Sequence, residues 1–261
     1  MSGRPITLEE MRAIQLDILD CVHAFCQERG LRYSLGGGTL LGAVRHKGYI
    51  PWDDDIDIMM PRPDYERFVS EFPGYNERLS LQNYRNDPHC YLMFTKVYDN
   101  RTVLEESGML QNGIAIDVFA VDGLPSEDGL RDYLGELNKS YHDLICMTRI
   151  YKFTVWQHIK LFIKKLIRTS RAENIRNIER LLSSYDFETS DYAGAITGIY
   201  GEKEHMPSSA FKTYITLPFE GREYMAIADY DSYLARHYGD YMQLPPVDKR
   251  HSHHAYKASW K

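Results

Sequence analysis

The sequence predicts a mixed α/β fold whose second half is largely helical, and three observations carry that expectation. Short apolar runs with the two-residue period of a strand, bounded by glycine or proline, recur through the first 120 residues. Segments with helical period lie between them. From Ser126 onward the pattern turns helical. With 261 residues, 43% hydrophobic and 26% charged, the chain has ample material for a core, which excludes disorder and a disulfide-stapled mini-protein.

Thr7-Leu8-Glu9-Glu10 has the form of a capping box, and Met11, Ile14, Ile18, Leu19, Val22, Phe25 and Cys26 continue it as one apolar face, so a long helix should end near Gly30. Leu31–Leu35 alternates like a strand, Gly36-Gly37-Gly38 breaks it, and Thr39–Val44 reads as a short helix. Ile56–Met60 is a second strand stopped by Pro61 and Pro63, followed by a helix over Asp64–Phe72. Further strands are expected at Leu79–Tyr84, Tyr91–Tyr98 and Ile114–Phe119. Helices are expected at Ser126–Ile150, Val155–Arg168, Ala172–Tyr185 and Asp231–Tyr238, with a hairpin over Tyr214–Ile227. Cys21, Cys26, Cys90 and Cys146 match neither a zinc knuckle nor a disulfide scaffold and read as reduced, mostly buried thiols.

A net charge of -6 excludes a chain built to coat nucleic acid. No stretch approaches the roughly 20 apolar residues of a bilayer span. The N-terminal MSGRPITLEEMR runs into acids where a signal peptide has an apolar core, so a cytoplasmic location is expected.

Two features carry chemistry. A glycine turn between strand and helix lets backbone N–H groups approach an anion, so Gly37, Gly38 and Thr39 are candidate phosphate contacts; the turn matches neither the dinucleotide fingerprint nor the Walker loop. In Asp53-Asp54-Asp55-Ile56-Asp57, an extended backbone puts Asp55 and Asp57 on one face. Paired carboxylates repel unless a cation lies between them, and hard oxygen ligands favour Mg²⁺ or Mn²⁺. Asp117, the single charge in Gly113–Phe119, completes a three-carboxylate site if its strand lies beside that of Asp55. Asp122 reads instead as a strand-end acid facing water, and Lys96 as a surface lysine whose stem lies along the sheet.

Leu35 to Asp57, spanning Gly36-Gly37-Gly38-Thr39 and Pro51-Trp52-Asp53-Asp54-Asp55-Ile56-Asp57, resembles the signature of the LicD family of phosphocholine transferases, a branch of the nucleotidyltransferase-fold superfamily. Ile116-Asp117-Val118-Phe119 is similar to the family's third-carboxylate strand, and Tyr238-Gly239-Asp240-Tyr241-Met242 with Leu244-Pro245-Pro246 and Lys249-Arg250 to its C-terminal motif. The resemblance implies a mixed sheet flanked by helices, with Asp55, Asp57 and Asp117 as metal ligands and catalytic residues. It divides the chain into a nucleotidyltransferase-like catalytic core over residues 1–125 and a mostly helical portion over 126–261 that completes the active site in one compact unit. It also implies Mg²⁺ or Mn²⁺ as cofactor, CDP-choline or a related CDP-alcohol as donor, and a sugar hydroxyl of a cell-surface glycan such as teichoic acid or lipopolysaccharide, or of its lipid-linked precursor, as acceptor. The rival readings are a nucleotidylyltransferase and a non-catalytic nucleotide-binding protein on the same fold.

Arg45, His46 and Lys47 stand between the glycine turn and the acids, where Arg45 and Lys47 are candidates to neutralise a diphosphate; Lys249 and Arg250 are candidates from the C-terminal motif. Residues 152–171 carry six basic residues and no acid, +6 against -12 for the remainder. The apolar stripe from Val155 to Ile167 either packs on the core or meets a membrane surface, the second giving peripheral association at the inner face.

Overall fold

The computed structural model describes residues 3–106, 109–148, 170–250 and 256–261. The basic segment expected as a helix over 155–168, and the histidines at 251, 253 and 254, lie outside them.

Strand β1 (Pro5–Ile6) leads into α1 (Leu8–Arg29). The capping box forms as expected: the Glu10 N–H donates to Thr7 Oγ1 at 3.2 Å and the Thr7 N–H to Glu10 Oε2 at 2.9 Å. Gly30 ends the helix with φ +62°, a conformation that costs glycine little. The expected apolar face of α1 is buried throughout. Strand β2 is only Ser34–Leu35, and α2 (Gly37–His46) begins inside the glycine run, so the triplet supplies an N-cap and a first helical turn. Next come β3 (Asp57–Pro61), α3 (Arg62–Glu71), β4 (Leu79–Gln82), β5 (Thr95–Asp99), β6 (Thr102–Glu106), β7 (Met109–Gln111) and β8 (Ala115–Leu124).

The second half contributes α4 (Glu127–Thr148), α5 (Arg171–Leu182), β9 (Tyr192–Gly194), β10 (Met206–Pro207), the hairpin β11 (Tyr214–Phe219) and β12 (Arg222–Ile227), α6 (Tyr230–Tyr238) and β13 (Tyr256–Trp260). The hairpin turns on Glu220 and Gly221, both at positive φ (52° and 72°), the conformation that matches strand twist in a two-residue loop. Strand β13, unexpected from the sequence, pairs between β1 and β6.

The main sheet runs β10-β9-β8-β3-β2, with β5 also on β8 and β4 on β5. Its β3·β8 pair is parallel and its other pairs antiparallel, a mixed sheet flanked by helices as expected. Helix α1 packs on β5 and β8, and α3 on β3 and β8. A second apolar cluster joins α4 to α5 through Leu134, Leu137, Leu144, Ile178 and Leu181. The four cysteines are free thiols, Cys26 and Cys90 buried and the other two half-buried. Among the described residues no helix is long and apolar enough to cross a membrane.

Strand β8 runs on past Phe119, which overturns the expectation for Asp122. Its C-terminal half pairs with β9, so Asp122 lies opposite Gly194 and is fully buried. Arg62 answers it with two bonds, Nε to Oδ1 at 2.6 Å and Nη2 to Oδ2 at 2.8 Å. A buried carboxylate stripped of its cation is far costlier than a broken surface pair. Arg62→Met should therefore destabilise the fold by about 3–5 kcal/mol, read as a lower urea midpoint at unchanged slope. An unchanged midpoint would show that the pair contributes nothing.

Candidate active site

The register of β3 and β8 builds the site. Asp57 pairs directly with Asp117 across the parallel strands, and Asp55 precedes Asp57 by two residues. Burial, then the neighbouring Asp55 and Asp117 carboxylates, push the Asp57 carboxyl well above the usual carboxylate range, while Lys96 opposes them. Lys96 lies on β5 opposite Asp117, its Nζ 2.6 and 2.9 Å from the two carboxylate oxygens. It is an ion-pair partner inside the site, and its side chain is 24% exposed, which corrects its reading as a surface lysine. The sequence could not place it there because the β5·β8 pairing joins residues 21 positions apart.

The glycine turn closes over these acids. The Gly36 N–H donates to the Asp57 carbonyl at 2.9 Å, and the Asp57 N–H donates to Thr39 Oγ1 at 2.8 Å, so α2 holds the backbone of Asp57 from both sides. At Gly37, with φ +45°, a Cβ would sit 3.1 Å from Asp57 Oδ2. At Gly38 it would sit 2.8 Å from Asp53 Oδ2. A side chain at either position would intrude on the space beside the carboxylates.

Helix α1 fixes the acidic loop. The Arg12 guanidinium donates to the carbonyls of Ile50 (3.4 Å), Pro51 (3.1 Å) and Asp53, and lies over the Tyr49 ring at 4.7 Å. Gln15 Nε2 donates to the Asp54 carbonyl at 2.9 Å, while its Oε1 accepts from the Tyr49 hydroxyl at 3.0 Å. Held this way, Asp53, Asp54 and Asp55 bring carboxylate oxygens within 4.8 Å of one another, the trio of that kind found among the described residues. Asp53, Asp55, Asp57 and Asp117 all line one cavity of about 1480 Å³. Hard oxygen donors carrying excess negative charge in a partly buried setting fit a divalent cation. Asp53 thus stands with the three acids the sequence singled out.

The opposite wall comes from the second half of the chain. Tyr200, Tyr233 and Tyr238 line the cavity. The Tyr200 and Tyr238 hydroxyls bond each other. Burial pushes the Tyr200 phenol up to about 12 and that of Tyr238 well above its ordinary value, so both keep their protons at neutral pH. Beneath them His237 stacks on Tyr233 with ring centroids 4.1 Å apart, and its Nε2 lies 3.2 Å from Glu204 Oε1. Tyr238 opens the C-terminal motif, but with 20 tyrosines in the chain nothing in the sequence marked Tyr200 or Tyr233.

Of the expected anion contacts, Gly37, Gly38, Arg45 and Lys249 line the cavity. Arg45 is tied to the C-terminal motif by a 2.7 Å bond from Nη1 to the Tyr241 carbonyl. Thr39 is buried with its hydroxyl on Asp57. Arg250 lies over Trp52, which lines the cavity, at 5.6 Å. Lys47 is not brought in: it ends α2 with φ 61°, exposed, its Nζ 3.1 Å from the Val44 carbonyl.

The mixed sheet thus sets in-register acids against a glycine-opened helix at one cavity. Residues 30–124 match the family model described as "LicD/FKTN/FKRP, nucleotidyltransferase domain". The chain is 33% identical over 264 residues to lipopolysaccharide cholinephosphotransferase LicD of Haemophilus influenzae, covering 98% of each protein. A 29-residue stretch, 11% of this chain and 6% of the relative, is 62% identical to the human ribitol 5-phosphate transferase FKRP. The chain belongs to the LicD family, and it is a transferase.

The α1 clamp makes a separable demand. Arg12→Met should cut turnover by about 10²-fold, the cost of a loosened acid loop, with the fold retained by circular dichroism. Turnover equal to the native protein would show that the loop holds itself.

Proposed function

We propose that the protein transfers phosphocholine, or a related phospho-alcohol, from a CDP-linked donor to a sugar hydroxyl of a cell-surface glycan or its lipid-linked precursor, releasing CMP. The observation that carries this reading is the full-length likeness to a cholinephosphotransferase together with the acid cluster that α2 closes. The shorter likeness to a ribitol 5-phosphate transferase supports the same class of chemistry.

Asp55, Asp57 and Asp117, with Asp53 beside them, would hold Mg²⁺ or Mn²⁺, which when bound neutralises diphosphate charge. The first turn of α2 offers backbone donors and positive dipole to the donor phosphates, and Arg45 from the last turn of the same helix and Lys249 from the C-terminal motif add charge to the cavity. Asp117, oriented by Lys96, accepts the proton of the acceptor hydroxyl. The hydroxyl oxygen bonds to the β-phosphorus, the bond from that phosphorus to the bridging oxygen breaks, and CMP leaves with the electron pair. Peripheral membrane contact through residues 155–168 belongs to this reading, since a lipid-linked acceptor lies at a membrane.

The family description names a nucleotidyltransferase domain, so NMP transfer from a nucleoside triphosphate is the second reading. Product analysis separates the two: CMP release with CDP-choline supports the first, and pyrophosphate release from a triphosphate supports the second. Asp55→Asn and Asp57→Asn should each abolish turnover with the fold intact, and substantial activity in either would overturn the assignment of the acids. With Mg²⁺ present, CDP-choline at about 100 times its Kd should stabilise the protein by about 2.7 kcal/mol in thermal unfolding. Better protection by ATP would contradict the donor proposed.

A further inference from the structure

The tyrosine wall holds a hydrogen-bond surplus. Tyr200 and Tyr238 bring two hydroxyl protons and bond each other, which uses one of them. Whichever phenol donates within the pair, the other keeps an O–H with no acceptor among the described residues. The pair faces the cavity, and the Tyr238 hydroxyl lies 4.0 Å from the point a Cβ on Gly37 would occupy. It therefore stands over the α2 turn, across the space that the absent side chains of Gly37 and Gly38 leave beside Asp53 and Asp57.

The wall is braced from behind. His237 meets the Tyr200 ring edge-on at 4.8 Å and donates its Nδ1–H to the Tyr233 carbonyl at 2.7 Å. The Lys203 ammonium donates to the His237 carbonyl at 2.8 Å, tying the segment after Tyr200 to the end of α6. Both phenols are thus fixed before any ligand arrives, which lowers the ordering cost of a hydrogen bond to it.

We infer that the Tyr200–Tyr238 pair binds the donor's diphosphate: Tyr238 donates its O–H to a non-bridging phosphate oxygen, and Tyr200 is the positioning residue that orients it. A neutral donor suits this place, because a cation there would compete for the carboxylates, whereas a phenol adds a charge-assisted bond to phosphate and leaves the acid cluster's charge unchanged. The inference rests on the reading of the site as one that takes a diphosphate donor.

The test is calorimetric titration of the full chain with inorganic pyrophosphate and with CDP-choline, both with Mg²⁺, for the native protein, Tyr238→Phe and Tyr200→Phe. Tyr238→Phe should weaken binding of both probes about tenfold, the worth of one such hydrogen bond, at unchanged thermal midpoint. Tyr200→Phe should weaken it less, about threefold, because Tyr238 keeps its own proton and loses only its orientation. Kinetically the Tyr238→Phe loss should appear in KM for the donor and leave KM for the acceptor unchanged, a split that a merely structural role would not give. Native-like pyrophosphate binding by both variants, or no pyrophosphate binding by the native protein, overturns the inference. If the variants lose pyrophosphate affinity while CDP-choline proves not to be a substrate, the diphosphate contact stands and the choline donor falls. If CDP-choline turns over normally in Tyr238→Phe, the contact falls and the donor stands.

Discussion

The structure depends on one costly juxtaposition, the pairing of Asp57 with Asp117 across parallel strands. Two carboxylates in register repel each other, and a partly buried setting with Asp55 and Asp53 nearby makes the charge harder to carry, as the raised proton affinity of Asp57 records. No fold would keep this arrangement for stability alone. The rest of the site consists of devices that hold the acids in place regardless. Lys96 neutralises Asp117 from the third strand, Thr39 and Gly36 bind the backbone of Asp57, and Arg12 and Gln15 hold the carbonyls of the loop that carries Asp53, Asp54 and Asp55.

These devices are made at backbone carbonyls and amides as much as at side chains, which is why helices far apart in sequence take part. Arg12 and Asp53 are 41 positions apart, and Arg45 and Tyr241 are 196 apart. The second half of the chain has two parts: α4 and α5 pack into their own apolar cluster, while α6 and the segment around Tyr200 turn onto the cavity. Residues from both halves line one space, so the acids and the tyrosine wall face each other across it.

Local signals were legible in the sequence, and long-range ones were not. The extent of α1 followed from its capping box, apolar face and Gly30, since each acts within one turn of the helix. Asp57 and Asp117 could be placed on two strands because Pro61 and the glycines bound those strands, and the resemblance named their chemistry. Lys96 and Asp122 were both misread for one reason: what surrounds a strand residue is decided by which strands pair on either side, and β5 and β9 are joined to β8 by register alone. Strand β13 escaped notice likewise, since its partners are the first strand and residues 102–106. Of the tyrosine wall only Tyr238 was marked, as part of the C-terminal motif, because a phenol's role there comes from the packing of α6 on α2 and the Tyr200 segment.

The central claim is that the in-register acids exist to hold a divalent cation. The most direct measurement is titration of Mn²⁺ followed by loss of the free-ion paramagnetic resonance signal, in the native protein and in an Asp57→Asn, Asp117→Asn double variant of verified fold. The account predicts stoichiometric uptake by the native chain and none at the same concentrations by the double variant. Equal uptake by both, or none by the native chain even with CDP present, would contradict it.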